Sequence, residues 1–231
     1  MFKWKHFSAD IILWTVRWYC QFALSYRVIV LMMEERGLSA THMTLMRWVH
    51  QYGPELKKRM KPHLKTTNDS WRVDETYIKI KGSWHYLYRA VDSDGNALDW
   101  MLSETRDQEA AEKFFKKASG NGHCVKPRVV SVDKNAAYPP AFEACVETET
   151  FEKNTKLRQS KFLNHVIEAD HRFTKRRVRH SQWLQLFATA QATIDGYEVM
   201  HMMRKGQIKN VGREDVIVQI KFIESLCGIA A

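Results

Sequence analysis

Three acidic residues stand where a carboxylate can do chemistry. The residues from Val73 to Ile80 alternate, placing Asp74 with Thr76, Ile78 and Ile80 on one face of a strand and Glu75 with Val73, Tyr77 and Lys79 on the other. Asp74 therefore shares a face with two isoleucines. A carboxylate on an inward face must be paired, hydrogen-bonded or bound to a metal, because water no longer solvates it. Asp133 ends the apolar run Val129-Val130-Ser131-Val132 and so emerges at a strand terminus. Glu168 falls in a helical pattern that sets Asn164, Glu168, His171 and Lys175 on one face, at spacings of four, three and four. Each acid also has a plainer role: a surface acid near a turn, the N-cap of the following helix, or one member of an exposed ion pair. A metal site shared by all three is the reading with chemical content.

The elements that must position these residues follow from periodicity. Helical spacing runs from Ser8 to Leu24, a second helix from Ser25 to about Arg36, and a third pattern, Leu45, Trp48, Val49 and Tyr52, follows the Gly37-Leu38-Ser39 break. Two helices joined by a short glycine turn predict a helix-turn-helix, which Gly53-Pro54 is expected to end. Lys57, Lys58, Arg59, Lys61 and Lys65 then form a basic stretch free of acids. It is either a linker touching phosphates or a solvated helix face. From Trp71 the pattern predicts a three-strand meander with turns at Gly82-Ser83 and Asp94-Gly95-Asn96, then a helix over 107–119 and a strand over 128–133. Residues 151–158 fit a further short strand, and helices are expected over 160–179 and 184–205. The whole is an α/β layered domain behind a small all-α one. The expected boundaries are 1–56 for the helix-turn-helix domain, 57–70 for the basic linker, 71–210 for the catalytic domain and 211–231 for a C-terminal tail.

Composition narrows the partners. Among 231 residues, 36 Lys and Arg against 26 Asp and Glu leave a net charge of +10, which favours a polyanion, nucleic acid ahead of an anionic membrane surface. Cys20, Cys124, Cys145 and Cys227 are scattered, without zinc-ligand spacing, and read as small hydrophobes in a reducing cytosol. No signal peptide is evident, and the apolar run Val28 to Met33 is far shorter than the roughly 20 residues of a membrane span.

Larger blocks carry a resemblance. Trp71-Arg72-Val73-Asp74-Glu75-Thr76-Tyr77, Ser131-Val132-Asp133-Lys134-Asn135 and Asn164-His165-Val166-Ile167-Glu168-Ala169-Asp170-His171-Arg172 resemble, in order, the signature blocks of the insertion-sequence-six family of bacterial transposases. The 34 residues between Asp133 and Glu168 match that family's spacing, and Lys175 matches its basic position. Met46-Arg47-Trp48-Val49 and Glu198-Val199-Met200-His201 extend the likeness over nearly the whole chain. The resemblance implies a ribonuclease-H-like catalytic core of mixed sheet and flanking helices. It implies Asp74, Asp133 and Glu168 as catalytic residues holding two Mg²⁺ about 3.5–4 Å apart, with Mn²⁺ as a substitute. It further implies double-stranded DNA partners, namely the element's terminal repeats and a target. At least a dimer is expected, in the bacterial cytoplasm and nucleoid-associated.

For DNA contact the sequence offers two sets. Residues 153–179 hold nine basic side chains against Glu168 and Asp170, with Arg172, Lys175 and Arg176 nearest the proposed glutamate. In the third helix His42, Thr44, Arg47, His50 and Gln51 are the polar positions left when Leu45, Trp48, Val49 and Tyr52 turn inward. One departure stands out. Where the family has Asp-Leu after Ser25-Tyr26-Arg27, this chain has Val28-Ile29, which removes the acid of a capping box and predicts a less firmly started helix. The apolar residues from Val28 to Met33 cannot all face inward, and some are expected to meet another subunit.

Overall fold

The computed structural model describes residues 6–160, 165–180 and 184–229. They form two compact units, residues 65–173 and residues 1–64 with 174–231.

Residues 65–173 are built on a five-stranded sheet. β1 (Ser70–Ile80), β2 (Ser83–Asp92) and β3 (Ala97–Ser103) form the antiparallel meander, and β4 (Val129–Val132) and β5 (Lys156–Gln159) run parallel to β1. The strand order is β3-β2-β1-β4-β5. This mixed sheet is the arrangement expected of a ribonuclease-H-like core. Lys81 and Gly82 both have positive φ, 47° and 86°, as a two-residue hairpin of the type that matches strand twist requires. Parallel pairing needs crossovers, supplied by α4 (Gln108–Ser119) between β3 and β4 and by α5 (Tyr138–Glu147) between β4 and β5. Asp107 caps α4, accepting a hydrogen bond from the Ala110 amide at 2.9 Å. One sheet face and these helices share a core of Trp71, Val73, Tyr88, Phe114, Phe115, Val130, Val132, Tyr138 and Phe151.

The other unit is helical: α1 (Ala9–Gln21), α2 (Tyr26–Glu34), α3 (His42–Met60), α7 (Phe187–Arg204) and α8 (Val216–Leu226), the last within the expected tail. α6 (His165–His180) contributes its residues from Thr174 here and its earlier residues to the sheet unit. Ser25 still caps α2, accepting from the Val28 amide at 3.2 Å, so the half of the capping box that survives in the sequence is formed. Bonds from Leu38 N to Met33 O and from Gly37 N to Glu34 O, with Gly37 at φ 71°, close α2 in a Schellman turn before α3. Of the Val28–Met33 run, Ile29 and Met33 are buried while Val28 and Leu31 remain exposed. Among the described residues no helix is long and apolar enough to cross a membrane.

Gly53-Pro54 does not end α3 as expected. The helix runs on through Pro54 to Met60, so residues 57–60 of the basic stretch are its last turn. Glycine serves here for close packing rather than as a breaker: a Cβ on Gly53 would lie 2.6 Å from Ala192 O and 3.1 Å from Gly196 N on α7. The two backbones touch where side chains would separate them. Gly53→Ala is therefore expected to destabilise the protein by about 1–3 kcal/mol, read as a lower urea midpoint at unchanged slope. Gly122→Ala, where a Cβ meets nothing within 4 Å, should leave the midpoint nearly unmoved.

Candidate active site

The two aspartates lie side by side because the strands that carry them are neighbours. β1 and β4 pair in parallel with Arg72 opposite Ser131. The same register carried two residues further sets Asp74 beside Asp133, just past the end of β4. Asp133 Oδ1 accepts from the Asn135 amide at 2.9 Å, the Asx arrangement that turns the chain toward α5. Its Oδ2 faces Arg106, whose Nη2 lies 3.4 Å away. Asp74 Oδ2 lies 3.3 Å from His171 Nε2, at an angle that makes no hydrogen bond. Both carboxylates thus lie beside a side-chain nitrogen, and both keep solvent access, with side chains 18% and 33% exposed.

Glu168 sits on α6, one turn before His171. Its side chain is 58% exposed and its Oε2 lies 3.5 Å from His165 Nδ1. The expected shared face of Glu168, His171 and Lys175 divides: His171 turns inward and is buried, while Glu168 and Lys175 face out. Asn164 lies outside the described residues. Among the described residues no three His, Cys, Asp or Glu side chains are grouped closely enough to hold a metal as they stand. The structure brings Asp74 and Asp133 together and leaves the Glu168 carboxylate apart from them.

The donor set nevertheless suits a hard divalent cation. Two adjacent carboxylates offer hard oxygen ligands, with Arg106 Nη2 beside Asp133 and His171 Nε2 beside Asp74. Both His171 ring nitrogens are buried without a hydrogen-bond partner beside Asp74.

Behind the aspartates lies a carboxylate that reading the sequence passed over. Glu75 is buried, and accepts hydrogen bonds from the Tyr138 hydroxyl and from Arg106 Nε, with Asn135 Nδ2 at 3.3 Å. Burial pushes its carboxyl above the usual range, the Tyr138 bond and the Arg106 charge pull it back, and Asp133 and Asp74 push it up again. Burial alone would lower the Arg106 guanidinium, but the charge and hydrogen bond of Glu75 outweigh it and the net shift is upward. The signal for Glu75 was present: alternation puts it with Val73 and Trp71, so the argument applied to Asp74 applies with more force on the opposite face.

A second buried pair holds α6. Arg89, opposite Asp74 in the β1–β2 register, donates to Asp170, and both side chains are almost wholly buried. Inward positions on the helix are Ile167, Asp170, His171, Thr174 and Arg177, and outward positions are Glu168, Arg172, Lys175, Arg176 and Arg179. The three expected phosphate contacts Arg172, Lys175 and Arg176 are therefore available to solvent. Arg177 is not: it donates to Gln21 O, and burial lowers its guanidinium to about 10. On α3, His42, Arg47 and Gln51 are exposed, while Thr44 and His50 are partly covered and burial pushes His50 down.

The chain is similar to known proteins over most of its length. Residues 68–207 match the family described as a DDE domain. The chain is 37% identical over 204 residues, 88% of each chain, to the transposase for insertion sequence-like element IS431mec of Staphylococcus aureus strain Mu50. It matches to the same extent the transposase for insertion sequence element IS257 in transposon Tn4003 of Staphylococcus aureus. A solved structure of the HTLV-2 integrase catalytic core domain in complex with magnesium aligns with 62% of this chain and 97% of its own, at 18% identity and a TM-score of 0.44. The sheet and the matched domain define a DDE-type transposase, an enzyme of an insertion sequence. Within that class, the chain belongs to the insertion-sequence-six family of bacterial transposases.

The Arg89–Asp170 pair generates a direct test of how α6 is held. Asp170→Ala strands a buried guanidinium and is expected to cost about 3–5 kcal/mol, whereas Arg89→Met with Asp170→Leu should recover most of that loss. Urea denaturation of the three proteins checks both, and a single substitution that costs nothing would mean that the pair does not anchor the helix.

Proposed function

We propose that the protein binds the terminal repeats of its element and catalyses metal-dependent cleavage and strand transfer at Asp74, Asp133 and Glu168. The observation that carries this reading is the placement of Asp74, within β1, beside Asp133 just past the end of the neighbouring β4, with Arg106 and His171 against them. Family membership adds Glu168 at the matching spacing on α6. The three carboxylates would hold two Mg²⁺, with Mn²⁺ as a substitute, supplying Lewis-acid stabilisation of the attacking and leaving oxygens. Arg106 orients Asp133 through its hydrogen bond and offsets the repulsion between the two aspartates, while His171 packs against Asp74. Arg172, Lys175 and Arg176 on the outer face of α6 seat the DNA backbone, and His42, Thr44, Arg47, His50 and Gln51 on α3 face the terminal repeats.

Chemically the reaction is two displacements at phosphorus. In the first, a water oxygen bonds to the phosphorus at an element end as the bond to the 3′ oxygen breaks, freeing a 3′-hydroxyl. In the second, that hydroxyl bonds to a target phosphorus as the target's own 3′ oxygen leaves, so joining element to target. The acids keep the nucleophile in line, and no covalent protein intermediate is needed.

Joining of terminal-repeat DNA to a target plasmid tests the assignment. Asp74→Asn, Asp133→Asn and Glu168→Gln should each lower the joining rate by at least about 10²-fold, the scale of losing one group that stabilises transition-state charge. Binding of the repeats should stay close to that of the unsubstituted protein. Millimolar Mg²⁺ or Mn²⁺ should raise the unfolding temperature of the parent and not of Asp74→Asn. A variant that still joins DNA at the parent rate removes that residue from the site. Repeat binding by the parent without any joining would make the protein a DNA-binding regulator instead.

A further inference from the structure

In the sheet unit, β1 and β2 run on past both of their neighbours. β1 pairs with β4 only through residues 70–72, and β2 pairs with β3 only through residues 86–91, so residues 77–80 and 83–85 form a two-stranded arm. On the face that carries Val73 and Tyr88 into the core, this arm sets Tyr77 opposite Tyr86 and Lys79 opposite Trp84. Here the face is open, with Tyr77 and Trp84 51% and 61% exposed. The rings form a cluster. Tyr77 meets Trp84 edge to face at 6.2 Å between centroids and Tyr86 at 5.2 Å, and Lys79 Nζ stands over the Trp84 ring, 5.6 Å from its centre. From Thr76 to Val91 the chain carries no acid, and Lys81 adds a second exposed cation at the tip. Cross-strand ring pairs steady a hairpin, yet that role does not require an indole standing this far into solvent.

Flat rings beside cations, on an arm without acids, suit a nucleobase together with its phosphate. A duplex hides its base faces in the stack and offers only edges and phosphates, so these rings call for an unpaired base. Placement in the molecule indicates which one. Arg106 Nη1 lies 3.3 Å from the Tyr77 hydroxyl and its Nη2 lies 3.4 Å from Asp133 Oδ2, so one guanidinium spans from the ring cluster to the candidate metal ligand. Nucleotides next to a phosphate held at Asp133 are therefore within reach of the arm. We propose that this face takes an unpaired base of the strand being cut, beside the scissile phosphate, stacked on Trp84 and Tyr77 with Lys79 and Lys81 on the backbone. Stacking then offsets the cost of opening the terminal base pairs and fixes which phosphate meets the aspartates. The choice of strand rests on the strand-transfer reading. The stacking surface does not, because binding alone measures it.

Anisotropy titrations of the full chain without added metal test it, using labelled oligothymidine and a labelled blunt duplex of equal length. Trp84→Ala should weaken oligothymidine binding by about tenfold or more and change duplex binding by less than about twofold, while Trp84→Phe keeps most of the affinity. Both variants alter an exposed side chain and should keep the parent's circular dichroism spectrum. The salt dependence of binding should be the same in Trp84→Ala as in the parent, since no cation is lost. In the joining assay, Trp84→Ala should slow transfer of fully paired repeat ends more than of ends whose last base pairs are mismatched. Equal losses for oligothymidine and duplex, or none for either, overturn the proposal. So does a Trp84→Ala protein whose solution mass changes while oligothymidine binding stays intact, which would make the face a protein contact. Oligothymidine bound through Trp84 by a parent that joins no DNA would remove the strand-transfer reading and keep the stacking surface.

Discussion

The pairing of Arg89 with Asp170 fixes the rotation of α6, and much of the site's chemistry depends on that rotation. Arg89 stands opposite Asp74 on the sheet, and Asp170 comes two residues after Glu168 and directly before His171. A helix turns about 100° per residue. Once Asp170 points at the sheet, His171 is committed to the Asp74 side and Glu168 to the rim. The same rotation decides which of the helix's many cations meet solvent. An ion pair this buried gains little net stability over apolar residues of equal size, and its contribution is positional.

The charges around the aspartates obey a related constraint. Asp74, Glu75 and Asp133 crowd the place where β4 ends beside the middle of β1, and such a concentration of negative charge is tolerated only if cations and donors are supplied. Arg106 answers two of the three, reaching Glu75 and Asp133 together, and Tyr138 answers Glu75 from the core. Glu75 thereby ties Arg106 to the interior, which is how a half-exposed arginine at a site opening can hold a fixed position. The two outer carboxylates stay accessible and the inner one does not, so burial separates ligand candidates from a supporting group.

Much of this was legible in the sequence because period-two and helical patterns report burial directly. The apolar run before Asp133 and the turn at Gly82 appear in the structure as expected, whereas the alternation from Val73 to Ile80 changes its buried face: Val73 and Glu75 are buried with Asp74 partly exposed between them, and from Thr76 onward the even positions are the buried ones. Pro54 was illegible for a physical reason. Gly-Pro reads as a stop, but Gly53 is required by the approach of α7, and that partner lies some 140 residues away along the chain. His171 and Glu168 were assigned one face from their spacing of three, yet a spacing of three leaves about 60° between side chains, enough for one to be buried and the other exposed. No local pattern could rotate α6, because Arg89, which does so, belongs to another strand.

Composition was the least discriminating signal, and α6 explains why. By counting, residues 153–179 are strongly basic, but Arg177 lies inward, where it donates to a backbone carbonyl and loses proton affinity through burial, while Arg172, Lys175 and Arg176 lie outward. One arginine holds helices together, and its neighbours remain free for a polyanion. A basic run states how much positive charge a segment has. Only the helix's orientation states how much of that charge DNA can reach, and that orientation is set by an acidic residue, Asp170, in the midst of the run.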